Sequence, residues 1–170
     1  MVNGIQPSVK LAPWGQYRPK FLASLCISAL RQRIARGAIK IPVRRLLRHL
    51  SPQYDIEVDG LKLRCRMDDN YTEQMAIERS GHNNRVGIDL ITSYLKPGDV
   101  FVDIGANCGL YALFAARAVG RAGRVVAVEP LPEMLTRLRF NVVANGFSNV
   151  LIFETAVGAT PGQAEIHISN

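Results

Sequence analysis

The chain has 170 residues, of which 48% are apolar, and it carries a formal net charge of +7. That much apolar surface can form a folded core, which argues against intrinsic disorder. The three cysteines form no Cys-x-x-Cys pair and the three histidines lie far apart. We therefore expect neither a disulfide nor a metal site.

The positive charge belongs to the first part of the chain. Residues 1–50 hold ten Lys or Arg and no acid, whereas residues 51–170 hold eleven basic and fourteen acidic side chains. The basic balance is therefore not a property of the whole protein, and we expect no nucleic-acid partner. The apolar run from Phe21 to Leu30 is shorter than the roughly 20 residues that cross a bilayer. We expect a cytoplasmic protein.

Residues 1–50 are predicted to form a basic helical extension after an irregular, proline-rich start. Pro42 suits the first position of the second helix in this extension. The apolar residues of that helix recur at helical spacing, at Val43, Leu46, Leu47 and Leu50. We favour a helix that packs Leu46 and Leu50 on the domain and leaves its arginines in solvent. The alternative is peripheral membrane contact through residues 20–50.

Residues 51–95 are predicted to form a β-hairpin and helices that lead into the main sheet. Polar and apolar residues alternate on both sides of Asp59-Gly60, a dipeptide typical of tight hairpin turns. Two helical patterns follow, over residues 70–80 and 84–95. Glu73 and Glu78 fit a solvated helix face or, alternatively, a cover over a bound cofactor.

From residue 96 onward, strands and helices alternate, which predicts an α/β fold. Apolar strands are indicated at 100–104, 123–128 and 150–153, and helices at 109–119 and 131–142. Continuous apolar strands with intervening helices are typical of a parallel, Rossmann-like sheet with helices on both faces. Residues 96–170 are therefore predicted to be a ligand-binding half-domain.

The loop after the first parallel strand carries the candidate site. Gly105 and Gly109, with Asn107 between them, directly follow the strand and open a helix, where open α/β sheets bind nucleotides. Asp103 lies at the end of this strand. Glu129 ends the next strand, where a carboxylate can accept hydrogen bonds from two ribose hydroxyls. The order D-x-G-x-N-x-G lacks the G-x-G-x-x-G fingerprint, which opposes an NAD-dependent oxidoreductase.

Several stretches together resemble the FkbM-type methyltransferase family. They are Gly98 to Tyr111, V-A-V-E-P at 126–130, Asn145-Gly146, Asn149-Val150 and Ala156-Val-Gly158. The resemblance implies a class I methyltransferase with S-adenosylmethionine as the cofactor. The implied methyl acceptor is a hydroxyl of a sugar, a glycolipid or a secondary metabolite. The implied cofactor contacts are Asp103, Gly105, Ala106, Asn107, Gly109, Glu129, Pro130, Leu131 and Ala156.

The family pattern continues with strands that this chain does not contain, so we expect a methyltransferase sheet truncated after strand 3. The first parallel strand, at 100–104, would be an exposed edge of the sheet. This predicts a homo-oligomeric or aggregation-prone chain. Residues 164–169 are predicted to form a short hairpin arm. No general base is identified, and Cys108 is interpreted as a small side chain under the helix start and not as a nucleophile. The rival hypothesis is a non-catalytic fragment that binds a membrane surface or a partner through its basic helices.

Overall fold

The computed structural model describes residues 11–32, 34–67, 71–78, 85–163 and 165–166. Its helices in this part of the chain are α1 (Phe21–Arg31), α2 (Lys40–Leu50), α3 (Tyr71–Glu78), α4 (Arg85–Tyr94), α5 (Leu110–Val119) and α6 (Pro132–Ala144). Its strands are β1 (Tyr54–Val58), β2 (Leu61–Cys65), β3 (Val100–Ile104), β4 (Arg124–Val128) and β5 (Val150–Phe153). Most of the arm predicted at 164–169 lies outside the described residues, and residues 165–166 form no strand.

The main sheet is parallel, with the strand order β3-β4-β5, as the alternation of strands and helices predicts. Helix α5 packs on β3 and β4. Its alanines Ala112, Ala115 and Ala116 are buried, and their small side chains let the helix lie close to the strands. Val125 and Ala127 of β4 are completely buried. The predicted α/β fold is confirmed.

β3 is one of the two edge strands of this sheet. Val100, Val102 and Ile104 are 65%, 54% and 64% exposed, because no described helix covers the face to which they belong. This agrees with the expectation that the first parallel strand is an exposed edge of a Rossmann-like sheet. Among the described ranges, no helix combines the length and the apolar character that a bilayer crossing needs.

The predicted hairpin is confirmed, and helix α6 covers one of its edges. β1 and β2 pair in antiparallel register around Asp59 and Gly60, which both have positive φ angles of 48° and 80°. Asn141 of α6 accepts a 2.7 Å hydrogen bond from the backbone N–H of Arg64. Asn145, one turn later, accepts from the N–H of Lys62 at 2.8 Å and donates to its carbonyl at 2.7 Å. The two side-chain amides thus make hydrogen bonds with the backbone of β2 that a neighbouring strand would otherwise make.

A buried ion pair ties the start of the described chain to the hairpin. Arg64 lies on β2 and Asp55 on β1, and the Arg64 Nε to Asp55 Oδ1 distance is 2.7 Å. The Arg64 guanidinium also donates to the carbonyls of residues 12 and 13. Asp55 Oδ2 accepts from the backbone N–H groups of Gly15 and Tyr17. These hydrogen bonds satisfy both charges, as burial requires.

The expectation that α2 packs Leu46 and Leu50 on the domain is wrong. Leu47 is completely buried, whereas Leu46 and Leu50 are 37% and 41% exposed. A 3-10 turn precedes the helix, so Pro42 is its third residue and not its first. Arg44 is not left in solvent either, because its guanidinium donates two hydrogen bonds to a carboxylate of α3.

The carboxylate that Arg44 contacts belongs to Glu78. The prediction that Glu73 and Glu78 lie on a solvated or cofactor-covering helix face is also wrong. Both side chains are buried. Glu78 Oε2 lies 2.8 Å from Lys40 Nζ, and Glu73 Oε1 lies 2.6 Å from Arg137 Nε. Burial alone would raise the pKa of Glu78, but hydrogen bonds from Arg44 and Lys40 outweigh it and lower the pKa below its usual value.

Candidate functional site

The predicted glycine loop joins β3 to α5 and begins beside the end of β4. The N–H groups of Gly105 and Ala106 both donate to the carbonyl of Val128, at 2.8 and 3.0 Å. Gly105 has a φ of +76°, and a Cβ built on it would meet no atom within 4 Å. One side of the loop is therefore open, with room for a ligand to approach the backbone.

Gly109 is required for a different reason, which is close packing. Its φ is +92°, and a Cβ at this position would lie 2.5 Å from Leu138 Cδ1 of α6. Asn107 also has a positive φ, +54°, which asparagine tolerates better than most residues. Its side-chain oxygen accepts the N–H of Cys108 at 2.7 Å. Cys108 itself is completely buried, in agreement with its interpretation as a small side chain under the helix start.

Glu129 connects the two loops that form the site. One carboxylate oxygen accepts the N–H of Asn107 at 2.8 Å, and the other accepts the N–H of Leu131 at 2.9 Å. The side chain is 5% exposed. Sequence reasoning assigned Glu129 to a ligand and missed this bridging role. A carboxylate oxygen has two lone pairs, so each oxygen can still accept one further hydrogen bond.

Asp103 is the last residue but one of β3, and its Oδ2 atom is buried without a hydrogen-bond partner. Burial raises the pKa of its carboxyl to about 6, helped by the charge of Glu129 and opposed by a backbone hydrogen bond from Ala112. An unsatisfied buried carboxylate oxygen is costly in a folded protein. Such an atom beside an open loop fits a ligand that carries a cationic donor.

The remaining predicted residues lie at the same edge of the sheet. The carboxyl ends of parallel strands share one edge, so Pro130 and Leu131 after β4 and Ala156 after β5 follow neighbouring strands. Leu131 is half-buried and is tied to Glu129, whereas Ala156 is exposed. The structure brings the predicted loop and Glu129 into direct contact. Ala156 shares their edge of the sheet without a described bond to them.

Asn141 is a supporting residue that sequence reasoning missed. Its side-chain amide donates to the carbonyl of Cys108 at 2.9 Å while its oxygen holds the N–H of Arg64. The residue is completely buried. It therefore links the glycine loop to the hairpin. Its only signal in the sequence is the pair of asparagines, Asn141 and Asn145, spaced one helical turn apart on an otherwise amphipathic helix.

The family model described as Vibrio cholerae RfbT protein matches residues 65–169, which is more than half of the chain. The chain belongs to the RfbT family. The match begins at the last residue of β2 and includes the glycine loop, Glu129 and Ala156, so the candidate site is part of the family domain. The matching family model is that of RfbT, and membership in the FkbM-type family, which the sequence motifs suggested, is not shown.

Curated relatives with which this RfbT-family chain shares sequence include methyltransferases. It is 38% identical over 56 residues to protein-L-isoaspartate O-methyltransferase 2 of Archaeoglobus fulgidus, a match that covers 33% of this chain and 26% of the relative. It is 34% identical over 67 residues to arsenite methyltransferase of Halobacterium salinarum, covering 39% and 17% of the two chains. The chain thus spans about a quarter or less of these relatives.

Among solved structures, a Pyrococcus horikoshii protein described as a transferase superposes with a TM-score of 0.50 at 16% identity. The match covers 62% of this chain and 37% of that one, and it shows a shared fold. The described sheet thus has a Rossmann-like α/β fold.

Proposed function

We propose that this RfbT-family chain binds S-adenosylmethionine at the glycine loop and forms the cofactor half of a methyltransferase. The observation that carries the proposal is the contact between the Asn107 N–H and Glu129, which joins the two cofactor-binding loops. The methyltransferase relatives supply the second support. S-adenosylmethionine would supply the methyl group, and the residues of this chain would bind and orient it.

The roles of the residues follow from their chemistry. The buried, unpartnered Oδ2 of Asp103 would accept a hydrogen bond from the amino group of the methionine moiety. Gly105, Ala106, Asn107 and Gly109 would approach the ligand through their backbone, because the loop is open on the side of Gly105.

The adenosine moiety would be held by the second loop and the end of the third strand. Glu129 would accept the ribose hydroxyls with the lone pairs that its backbone contacts leave. Pro130, Leu131 and Ala156 would line the adenine.

Thermal unfolding with S-adenosylhomocysteine tests the cofactor proposal, with NAD as the control ligand. At 100 times its dissociation constant, a ligand that binds only the folded chain adds about 2.7 kcal/mol to the free energy of unfolding. We expect S-adenosylhomocysteine to raise the melting temperature and NAD to leave it unchanged. The absence of any shift with S-adenosylhomocysteine would refute the proposal.

The ribose contact needs a sharper test, because Glu129 also holds the loop. Wild-type chain should prefer S-adenosylhomocysteine to its 2′- and 3′-deoxyribose analogues, since the analogues lack a donor for the carboxylate. Glu129→Gln keeps one oxygen, which can hold one backbone N–H and accept from one hydroxyl, and replaces the other oxygen by an NH2 group that cannot accept. The variant should therefore lose the preference for at least one of the two hydroxyls. A variant that keeps the full preference in isothermal titration calorimetry would show that another group holds the ribose.

For the acceptor, we propose a hydroxyl of a sugar, a glycolipid or a secondary metabolite. Its support is the similarity of the loop and of the V-A-V-E-P stretch to FkbM-type methyltransferases. The curated relatives are named for protein isoaspartate and arsenite, which makes these the competing acceptors. Transfer of label from S-adenosylmethionine to a monosaccharide panel, an isoaspartyl peptide and arsenite separates the three. Labelling of the peptide or of arsenite alone would refute a hydroxyl acceptor.

A second candidate function, contact with an anionic membrane surface through residues 20–50, has its own observation. Phe21 of α1 is 81% exposed, and Leu25 on the same side of the helix is 51% exposed. Residues 1–50 carry ten cations and no acid. Apolar side chains among cations are typical of helices that bind membrane surfaces.

The vesicle test of this contact compares two exposed apolar residues. Phe21→Ser should weaken co-sedimentation with phosphatidylglycerol vesicles, whereas Val86→Ser, equally exposed on α4, should not. Equal binding by both variants would contradict the proposal.

We also propose that the exposed edge strand β3 lets two copies of the chain associate. Its apolar side chains Val100, Val102 and Ile104 are exposed in a row on one side of the strand. An unpaired apolar edge is a template for pairing with another chain. Sedimentation velocity should show a concentration-dependent oligomer that Val102→Lys abolishes. A chain that stays monomeric over the whole concentration range would contradict it.

A further inference from the structure

Two cysteines and a glutamate that are far apart in the sequence meet behind the glycine loop. Cys65 ends β2, Glu73 lies on α3, and Cys108 lies in the loop itself. One donor atom of each residue lies within 4.8 Å of the other two. All three side chains are completely buried. The proposed cofactor site uses none of these side chains.

The donor set has the chemistry of a transition-metal site. Two thiolate sulfurs and one carboxylate oxygen are ligands that zinc accepts, at about 2.3 Å for sulfur and about 2.0–2.2 Å for oxygen. Donors around a tetrahedral zinc lie roughly 3.5 Å apart at those bond lengths. Side-chain movements of about an ångström would therefore bring the three donors of this cluster, now within 4.8 Å, to that spacing.

The charges around the cluster also balance for a divalent ion. Two thiolates and a carboxylate carry three negative charges, so a bound Zn²⁺ would leave one. Arg137 of α6 supplies the compensating positive charge, because its Nε lies 2.6 Å from Glu73 Oε1 and its side chain is 7% exposed. A ligating carboxylate that is oriented by a neighbouring charged group is a common arrangement in metal sites.

We propose that Cys65, Glu73 and Cys108 bind one zinc ion that fastens the glycine loop to the hairpin and to α3. The three ligands come from three different segments, and Asn141 already joins two of these segments through the carbonyl of Cys108 and the N–H of Arg64. Arg137 acts as a positioning residue that orients Glu73. Water completes the four-coordinate shell.

Metal binding by purified chain tests this proposal, with Co²⁺ as the spectroscopic probe. Wild-type chain should retain one equivalent of zinc after dialysis. With Co²⁺ it should develop the near-ultraviolet absorption of cobalt–thiolate bonds. Cys65→Ser and Cys108→Ser should each weaken that absorption and lower zinc retention at least tenfold. Cys26→Ser is the matched control, because Cys26 is a buried cysteine of α1 outside the cluster. Cobalt–thiolate absorption that persists in both cluster variants would overturn the proposal.

A second measurement needs no variant and so does not depend on whether the variants fold. X-ray absorption at the zinc edge of the loaded wild-type chain should show two sulfur neighbours at about 2.3 Å. Zinc with only nitrogen or oxygen neighbours would overturn the proposal. A chain that retains no zinc would overturn it equally.

Discussion

Replacement of Asn141 by alanine tests the link between the glycine loop and the hairpin. The change removes the acceptor of the Arg64 N–H and the donor to the Cys108 carbonyl, which are 2.7 and 2.9 Å away. Asn141 is completely buried, so water does not replace either bond. A buried polar group without a partner costs about 1–3 kcal/mol, and two such groups together cost about 2–6 kcal/mol. A domain of ordinary stability has only about 5–15 kcal/mol in total.

Urea unfolding followed by far-ultraviolet circular dichroism measures this loss. The midpoint should fall while the dependence of the free energy on urea stays unchanged, because the surface exposed on unfolding is the same. Asn145→Ala is the matched control. It removes the equivalent hydrogen bonds to Lys62, but this position is only partly buried, so water can replace them at a cost of about 1 kcal/mol. Equal losses in the two variants would refute the argument.

The remaining predictions concern pH and packing. Because burial raises the pKa of Asp103 from 3.8 to about 6, the folded chain keeps a proton that the unfolded chain releases, and its free energy of unfolding should fall as pH rises across that interval. Asp103→Asn should remove this fall in urea titrations at several pH values, and an unchanged pH dependence would contradict the assignment. Gly105 and Gly109 both have positive φ, so alanine at either position should cost about 1–2 kcal/mol in backbone strain. Gly109→Ala should cost about 1–3 kcal/mol more, because its Cβ would lie 2.5 Å from Leu138, whereas a Cβ on Gly105 meets nothing within 4 Å. Equal melting temperatures for the two alanine variants would count against the packing difference. Glu78→Gln should cost about 2 kcal/mol at pH 7 and less in acid, because the lowered pKa of Glu78 stabilises the fold only while the carboxylate is ionised. A loss that is as large in acid as at pH 7 would contradict that mechanism.

The sequence was sufficient to predict the elements that depend on local patterns. Asp59-Gly60 between alternating residues predicted the hairpin, and apolar strands alternating with helices predicted the parallel sheet. The glycine loop was located because a turn that opens a helix needs residues that accept positive φ. Gly105 and Gly109 both have such φ angles. These features are set by residues that are neighbours in the chain.

The features that the sequence did not reveal are contacts between distant segments. Glu78 was predicted to be solvated because its partners, Lys40 and Arg44, lie on a different helix. The orientation of α2 was predicted wrongly for the same reason, since a stripe of leucines does not show which leucine faces the core. The meeting of Cys65 with Cys108 depends on how the hairpin packs against the loop. No spacing rule within either segment predicts it.

The ion pair of Asp55 and Arg64 has a practical consequence for proteolysis and for the design of shorter chains. Both charges obtain part of their hydrogen bonding from the backbone of residues 12–17. Cleavage after Tyr17 would remove the two carbonyls that accept from Arg64 and the two N–H groups that donate to Asp55. The trimmed chain would retain a buried ion pair with too few hydrogen bonds. A protease that cuts inside this segment should therefore lower the melting temperature of the entire hairpin, and shortened versions of the protein should begin before Ala12.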